Sequence, residues 1–323
     1  MPTRQNTTSR KNFALYLNKL FYQVKPIIPR SLQIMLRREL IRNKRSSYID
    51  VWPIDENAKR LPRGWKGWPE QKRFAFILSH DIDTLHGQNK CIDLLKLDKR
   101  LGFRSSFSFV PERYDVQTNL FSFIRKQGFD ICVHGLYHDE KLFSSKKAFD
   151  RQAIKINEYI DKWETKGFTS PSAHHNLEWT IELKIQFAIT TFDTDPFEPQ
   201  PDGVKRIFPF WVNGNPNHQG YVELPYTLPQ DFTLFILMKE KSIDIWKQKL
   251  DWIVENGGMA LLNTHPDYIN FSGKKLALEE YPAEYYEEFL NYVKTKYDNQ
   301  YWHVLPSEMA SFWKKNMMQK NIL

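Results

Sequence analysis

Three short segments combine carboxylates and imidazoles in a pattern that suits metal-dependent hydrolysis. They read SHDIDT (79–84), VHGLYHD (133–139) and NTHPD (263–267). Each segment follows an apolar run that predicts a buried strand. Because the carboxyl ends of parallel strands share one face of a barrel, the three segments are expected to converge there. We therefore take them as the candidate active site.

The spacing within the segments indicates how a metal ion would be held. Asp81 and Asp83 are two residues apart, and alternation along an extended chain points both carboxylates the same way. His134 and His138 are four residues apart, so one helical turn would place both imidazoles on one side. Two imidazoles and one carboxylate leave coordination positions open for water and substrate. The second carboxylate then stays free to act as a base.

Each motif alone has an ordinary structural explanation. An HxxxH pair is commonly a pair of surface or core histidines, an Asp-x-Asp pair commonly caps a loop, and His265 alone could be a satisfied buried histidine. Their shared position, each directly after a predicted strand, favours a single metal site. A divalent ion there lowers the pKa of bound water and polarises a carbonyl group.

The elements that position these residues follow from the apolar pattern of the chain. The predicted strands are FAFIL, SFSFV, FDICV and MALLNT, with further candidates in FTSPSA, AITTFD, RIFPFWV, YVELPYT and WHVLP. Amphipathic helices are predicted between them, among them residues 89–101 with Ile92, Leu95 and Leu101 inward. This alternation predicts an α/β fold with a parallel sheet and crossover helices.

With these motifs, the sequence resembles the polysaccharide deacetylase superfamily, the group with the NodB homology domain, similar to carbohydrate esterase family 4. That family has an Asp-x-Asp motif after its first strand, an HxxxH motif after its third and a late His, which match SHDID, HGLYH and LLNTH. The resemblance covers residues 73–310 and implies a divergent bacterial member. The implied fold is a distorted (β/α) barrel with fewer than eight strands at residues 73–315, after a basic N-terminal extension and linker at residues 1–72.

The resemblance implies a role for each matched residue. Asp81 corresponds to the catalytic base and His265 to the catalytic acid. Asp83, His134 and His138 correspond to the metal ligands. The implied cofactor is a divalent metal, usually Zn²⁺, with Co²⁺, Mn²⁺ or Ni²⁺ as alternatives. The implied reaction is hydrolytic removal of N-acetyl groups from a carbohydrate, a surface polysaccharide or its precursor.

One position departs from the family pattern. The family has an Arg two residues before a Pro, which orients the base, whereas Thr169 occupies that position in FTSPSAHHN. His174, His175 or Arg206 is the candidate replacement for the missing positive charge near Asp81. Two alternatives to the deacetylase stay open: a non-catalytic, metal-containing relative that binds carbohydrate, and an amidase acting on another C–N substrate.

Further residues are candidates for contact with substrate or with the Asp-x-Asp loop. His175, Asn176, Asp195 and Trp211 are assigned to substrate binding, and His80 to support of the loop. Each also has an ordinary explanation. His175 and Asp195 could be solvated loop residues, Asn176 could form a turn, and Trp211 could be a core ring.

The basic character of the chain belongs to its first part. The net charge is +8, yet residues 1–50 carry eleven Lys and Arg against two acids, which leaves the remainder at −1. Residues 29–45 predict an amphipathic helix, with one apolar face formed by Leu32, Met35, Leu36 and Leu40. The helix either attaches to an anionic membrane surface or packs on the barrel with a solvated basic face. The body offers no matching basic patch, so nucleic-acid binding is not expected.

The remaining composition sets the expected compartment. No stretch reaches 18 consecutive apolar residues and no secretory signal is recognisable at the start, so a cytoplasmic protein is expected, with contact at the inner membrane face as an option. The two cysteines, Cys91 and Cys132, are too few for a disulfide framework. The oligomeric state does not follow from the sequence.

Overall fold

The computed structural model describes residues 29–139 and 141–318. The chain divides into two compact units between Ser46 and Ser47. The described part of the first unit is a helix, α1 (Arg30–Arg45). The second unit contains the sheets and the other helices described below.

The second unit is built on one sheet that has nine strands within the described residues. Its strands are β1 (Phe74–Ile82), β2 (Ser106–Phe109), β3 (Asp130–His134), β4 (Gly167–Thr169), β5 (Phe187–Ile189), β6 (Phe210–Val212), β7 (Tyr221–Glu223), β8 (Met259–Thr264) and β11 (Tyr301–His303). A separate pair is formed by β9 (Ile269–Asn270) and β10 (Tyr281–Pro282).

Helices connect the parallel strands. They are α2 (Leu85–Leu101), α3 (Asn119–Lys126), α4 (Lys146–Lys162), α5 (Leu177–Thr180), α6 (Asp244–Glu255), α7 (Ala283–Lys296) and α8 (Pro306–Trp313). Local sequence sets their ends. The hydroxyl of Ser145 caps α4 by accepting the N–H of Ala148, and Gly102, with φ 88°, ends α2 in the left-handed conformation.

Seven parallel strands follow one another around the described barrel, in the order β1-β2-β3-β4-β5-β7-β8. β8 returns to β1, so the first strand has neighbours on both sides. Between β7 and β8 no strand pair forms, and the backbone N–H groups of Thr227 and Leu228 donate to Leu261 O at 3.3 and 3.1 Å. β11 pairs with the start of β1, and β6 runs antiparallel to β7. The predicted distorted (β/α) barrel with fewer than eight strands in its ring is confirmed.

Burial explains the sequence of the first strand and places the polar groups. Every residue of β1 is buried, as expected for a parallel strand that is covered on both faces. Asp81 lies at its carboxyl end, and its side chain meets that of Asn263 on the neighbouring β8. The ends of β1, β3 and β8 therefore carry the candidate site at one edge of the barrel.

Helix α2 differs in one detail from the prediction. Leu95 and Leu101 are buried as predicted, whereas Ile92 is 36% exposed. Cys91 and Leu94 take the inward positions of that turn instead.

Residues 47–72 contact the barrel within the second unit. Trp68 Nε1–H donates to Gly257 O at 2.8 Å, and Trp252 Nε1–H donates to Glu56 at 2.8 Å. The backbone N–H of Ile207 donates to Ala58 O at 3.1 Å. The predicted domain boundary at residue 72 stays a prediction. Within the described ranges, no helix combines the length and apolar character needed to cross a bilayer.

Candidate active site

The carboxylate of Asp83 lies against two imidazoles. Its Oδ1 is 3.0 Å from His138 Nε2 and 3.4 Å from His134 Nε2. The three candidate ligand atoms all lie within 4.8 Å of one another. With metal–ligand bonds of about 2.0–2.2 Å, tetrahedral ligand atoms are roughly 3.4 Å apart. The spacing therefore fits one divalent ion bound by all three side chains.

The environment of Asp83 also fits a cation. Its Oδ1 is buried and makes no aligned hydrogen bond with any described residue. Burial alone raises the pKa of Asp83, but His138 and His134 outweigh burial and hold the pKa well below its ordinary value. An ionised, buried oxygen without a hydrogen-bond partner is costly. A divalent ion bound between Asp83 Oδ1 and the two imidazoles would give this oxygen the partner it lacks.

The HxxxH segment is held by a sharp turn, so the predicted helical turn is wrong. His134 ends β3, and after Gly135 residues 136–139 form bends. Gly135 has φ 59°, and a Cβ there would lie 2.6 Å from the ring of Pro171. His138 itself has φ 55°, a conformation that non-glycine residues rarely adopt. A glycine is required because the strand must turn tightly against Pro171 before His138 can return to the metal position.

Thr169 links the metal-ligand candidate His134 to the base candidate Asp81. Its Oγ1 lies 2.6 Å from His134 Nδ1 and 3.1 Å from Asp81 Oδ1. A hydroxyl has one hydrogen, which must go to the carboxylate, so the ring N–H at Nδ1 donates to Thr169. This fixes the tautomer of His134 and leaves its Nε2 lone pair free toward the side of Asp83.

Neutral groups hold Asp81 in the place of the family arginine. Besides Thr169, Asn263 Nδ2–H donates to Asp81 Oδ2 at 2.9 Å. Two of the proposed cationic replacements make contacts with other groups. His175 hydrogen-bonds Ala173 O through Nδ1, and the Arg206 guanidinium lies 5.3 Å from the ring centre of Phe210. The third candidate, His174, lines a cavity beside His138. The structure thus assigns the orienting hydrogen bonds to a hydroxyl and an amide.

His265 is held as a proton donor by Asp231. His265 Nδ1–H donates to Asp231 Oδ1 at 2.7 Å, and its backbone N–H donates to Oδ2 at 2.8 Å. Tyr281 donates its hydroxyl hydrogen to the same Oδ2 at 3.0 Å. Burial lowers the pKa of His265, but the Asp231 carboxylate outweighs it and raises the pKa to about 10. The imidazole is therefore charged at neutral pH, and its Nε2 is free to donate.

His80 lies on the opposite face of β1 from the two aspartates. Its Nδ1 is 2.8 Å from Thr264 Oγ1 and its Nε2 is 3.0 Å from Asp98 Oδ2. These contacts therefore do not provide the predicted support of the Asp-x-Asp loop. They connect β1 with the end of β8 and with α2.

The residues that were predicted to contact substrate lie in different environments in the structure. Asn176 caps the short α5, since its Oδ1 accepts the N–H of Trp179 at 3.0 Å. Asp195 is buried, against the solvated-loop explanation, and burial together with the charge of Glu198 raises its pKa well above the ordinary value. Trp211 is half-buried on β6. Their roles in substrate binding, like that of His175, stay predictions.

Several residues of the site were missed by the sequence interpretation. Asp231, Tyr281 and Asn263 hold the proposed acid and base, as described above. Asp267 is another, because its Oδ2 accepts the backbone N–H of Asp83 at 3.1 Å. For Asn263 a signal existed, since it lies two residues before His265 at the end of β8, and alternation along extended chain puts both side chains on the same face. For Asp231 no local pattern was available.

Comparison with known proteins identifies the fold. No protein-family model matches the sequence, and no curated protein matches it. A solved structure from Mycobacterium smegmatis assigned as a polysaccharide deacetylase is similar, with TM-score 0.59 and 16% identity, over 79% of this chain and 95% of that chain. An allantoinase gives TM-score 0.60 and 14% identity, over 82% and 98%. A structure from Pseudomonas aeruginosa assigned as a polysaccharide deacetylase gives 0.57 and 14%, over 77% and 94%.

At these identities the likeness concerns the fold. The chain has the fold that these deacetylases and the allantoinase share, which is the fold implied by the sequence resemblance.

Proposed function

We propose that the protein is a metal-dependent hydrolase that removes N-acetyl groups from a carbohydrate. The observation that carries the proposal is the convergence of Asp83, His134 and His138, with Asp81 and His265 placed beside them. Two of the structures that share the fold are assigned as polysaccharide deacetylases, which supports this choice of substrate class.

The proposed cofactor is a divalent ion held by Asp83, His134 and His138. Two imidazoles and one carboxylate suit zinc and also Co²⁺, Mn²⁺ or Ni²⁺. Such an ion, when bound, polarises the acetamide carbonyl and lowers the pKa of water. The Thr169 contact to Nδ1 orients the His134 ring for this role, as hydrogen bonds to metal-binding histidines commonly do.

Asp81 is the proposed general base. It takes a proton from the attacking water, which requires an ionised carboxylate aimed at the substrate. Each of its oxygens accepts one hydrogen bond, from Thr169 and from Asn263. A carboxylate oxygen has two lone pairs, so each oxygen keeps the capacity to accept a proton. Two neutral donors thereby orient the base without a positive charge.

His265 is the proposed general acid. Its Nδ1–H is held by Asp231, so the proton it delivers to the leaving amine is the one on Nε2. The negative charge of Asp231 keeps the ring protonated until that step and stabilises its position. Release of the free amine and acetate completes the reaction.

An amidase acting on a cyclic C–N substrate is the second candidate. The motivating observation is the match to an allantoinase, which covers 82% of this chain. The same base, acid and metal ligands would serve both reactions, because each begins with attack of water on an amide carbonyl. The substrate would distinguish them.

The test is acetate release from N-acetylglucosamine oligomers by the full-length protein loaded with zinc, beside hydrolysis of a cyclic amide such as allantoin. We expect acetate release that is abolished by a chelator and restored by added zinc. Turnover of the cyclic amide alone would replace the proposal by the second candidate. One equivalent of bound zinc with neither reaction would favour the non-catalytic, metal-containing relative that binds carbohydrate.

A further inference from the structure

We propose that one face of α1 docks on an anionic membrane surface. This face, called here the apolar face of α1, is formed by Leu32, Met35, Leu36 and Leu40. Their exposed fractions are 40%, 56%, 45% and 48%. Four large apolar side chains are exposed between Leu32 and Leu40, whereas the other exposed large apolar side chains of the described residues are scattered.

The helix presents this face on one side only. At about 100° per residue, the four side chains fall within an arc of roughly 140°. Ile34 and Ile41 project from the opposite side, and both are buried. The helix is thus apolar on two sides, and the exposed one is wide enough to lie in the boundary between headgroups and acyl chains.

Charge on the helix complements an anionic surface. The helix contains six basic residues and one acid, Glu39, whose carboxylate pairs with Arg42 at 2.7 Å. At about 100° per residue, Arg42 and Lys44 flank the apolar face, Glu39 lies within its arc, and the other four basic residues project from the far side of the helix. Residues 1–50 together carry a net charge of +9 by sequence. An apolar stripe bordered by basic side chains, on a helix with six basic residues against one acid, is suited to bind in the plane of anionic lipid.

The same features disfavour other occupants. A second copy of the chain would bring two strongly basic helices together, which repel each other. A nucleic acid would pair with the basic side chains but would leave the apolar face uncovered. A lipid surface satisfies both parts of the helix.

The experiment is co-sedimentation of the full-length protein with vesicles. One set is phosphatidylcholine alone and the other contains about 30% phosphatidylglycerol, to supply negative charge. We expect binding to the anionic vesicles that weakens as salt increases. The double variant Leu36→Ser, Leu40→Ser should bind them at least about tenfold more weakly. The matched control is Ile154→Ser, which changes an apolar side chain on α4 that is 64% exposed, and it should bind like wild type.

Three results would overturn the proposal. They are absence of wild-type binding to anionic vesicles, unchanged binding by the double variant, and a dimer in the absence of vesicles that the double variant dissociates. Circular dichroism and thermal melting establish that each variant is folded. Acetate release from soluble oligomers should be the same in wild type and double variant, so this test is independent of the proposed catalytic function.

Discussion

Thr169 donates its hydroxyl hydrogen to Asp81 across 3.1 Å, at the position where the family that the sequence resembles has an arginine. The same hydroxyl accepts the Nδ1–H of His134. One small side chain therefore connects the proposed base with a proposed metal ligand. A guanidinium would place a positive charge beside the Asp81 carboxylate. Thr169 orients that carboxylate through a neutral hydrogen bond, so any positive charge near it would come from the metal.

Removal of this hydroxyl should impair the site without removing bulk. Thr169→Val leaves His134 Nδ1–H without its acceptor and Asp81 without one donor. Changes of this kind next to metal ligands cost about 10- to 100-fold in metal affinity or activity. We expect a loss of that size in kcat for acetate release, measured together with zinc content. Thr169→Ser keeps the hydroxyl and should stay near wild type. Full activity in the valine variant would show that the link is unimportant.

Metal binding should depend on His134. Wild type is expected to hold close to one equivalent of zinc, and His134→Ala should lose most of it, because two ligands bind a divalent ion far more weakly than three. The measurement is elemental analysis after dialysis. His86→Ala is the matched control, since His86 lies near the same loop but is 62% exposed and outside the ligand set. Equal zinc in all three proteins would disprove the ligand assignment.

Asp81→Asn should separate chemistry from metal binding. The amide keeps the shape of the side chain but cannot accept the proton of water. We expect retained zinc and a fall in kcat of about 100- to 10,000-fold, the usual contribution of general acid–base catalysis. Zinc analysis and acetate release on the same preparation provide the measurement. Retained turnover would remove Asp81 from the role of base.

The pH dependence of activity should respond to Asp231. His265 must be protonated to act as the acid, so activity is present below its folded pKa, which is about 10, and is lost as pH rises through it. Asp231→Asn removes the negative charge that raises this pKa. The alkaline limb of the kcat profile should therefore move to lower pH. A bound divalent ion also lowers the pKa, so wild type and variant are compared fully loaded with metal. An unmoved alkaline limb would exclude His265 as the group it reports.

Gly135→Ala should destabilise the HxxxH turn. The new Cβ would meet the Pro171 ring at 2.6 Å, and the residue must also keep φ 59°. Gly273→Ala is the matched control, because Gly273 has φ 66° but no atom within 4 Å of the added Cβ. Strain of the backbone alone costs about 1–3 kcal/mol. Urea unfolding should show a larger loss for Gly135→Ala than for the control, together with reduced zinc. Equal losses in the free energy of unfolding would mean that the Pro171 ring moves away from the added Cβ without destabilising the protein.

The sequence by itself determined a parallel α/β sheet and the residues at the edge that forms the candidate site, and the resemblance to a known family implied the barrel. Continuous apolar runs such as Phe74–Leu78 predict buried parallel strands, because both faces of such a strand are covered. Asp81, Asp83, His134 and His265 could be placed at one edge, because the carboxyl ends of parallel strands share it. Both inferences use patterns within a few residues of chain.

Only the tertiary structure decided which groups serve those residues. Asp81 takes its two donors from positions 88 and 182 residues away, and His265 meets Asp231 across 34 residues. No local period encodes such a meeting, because it depends on how neighbouring strands and their loops align. The turn at Gly135 was likewise set by Pro171, which follows β4, and not by the helical spacing of the two histidines. Amphipathic spacing showed that α1 has an apolar face, whereas its exposure could be known only from the folded chain.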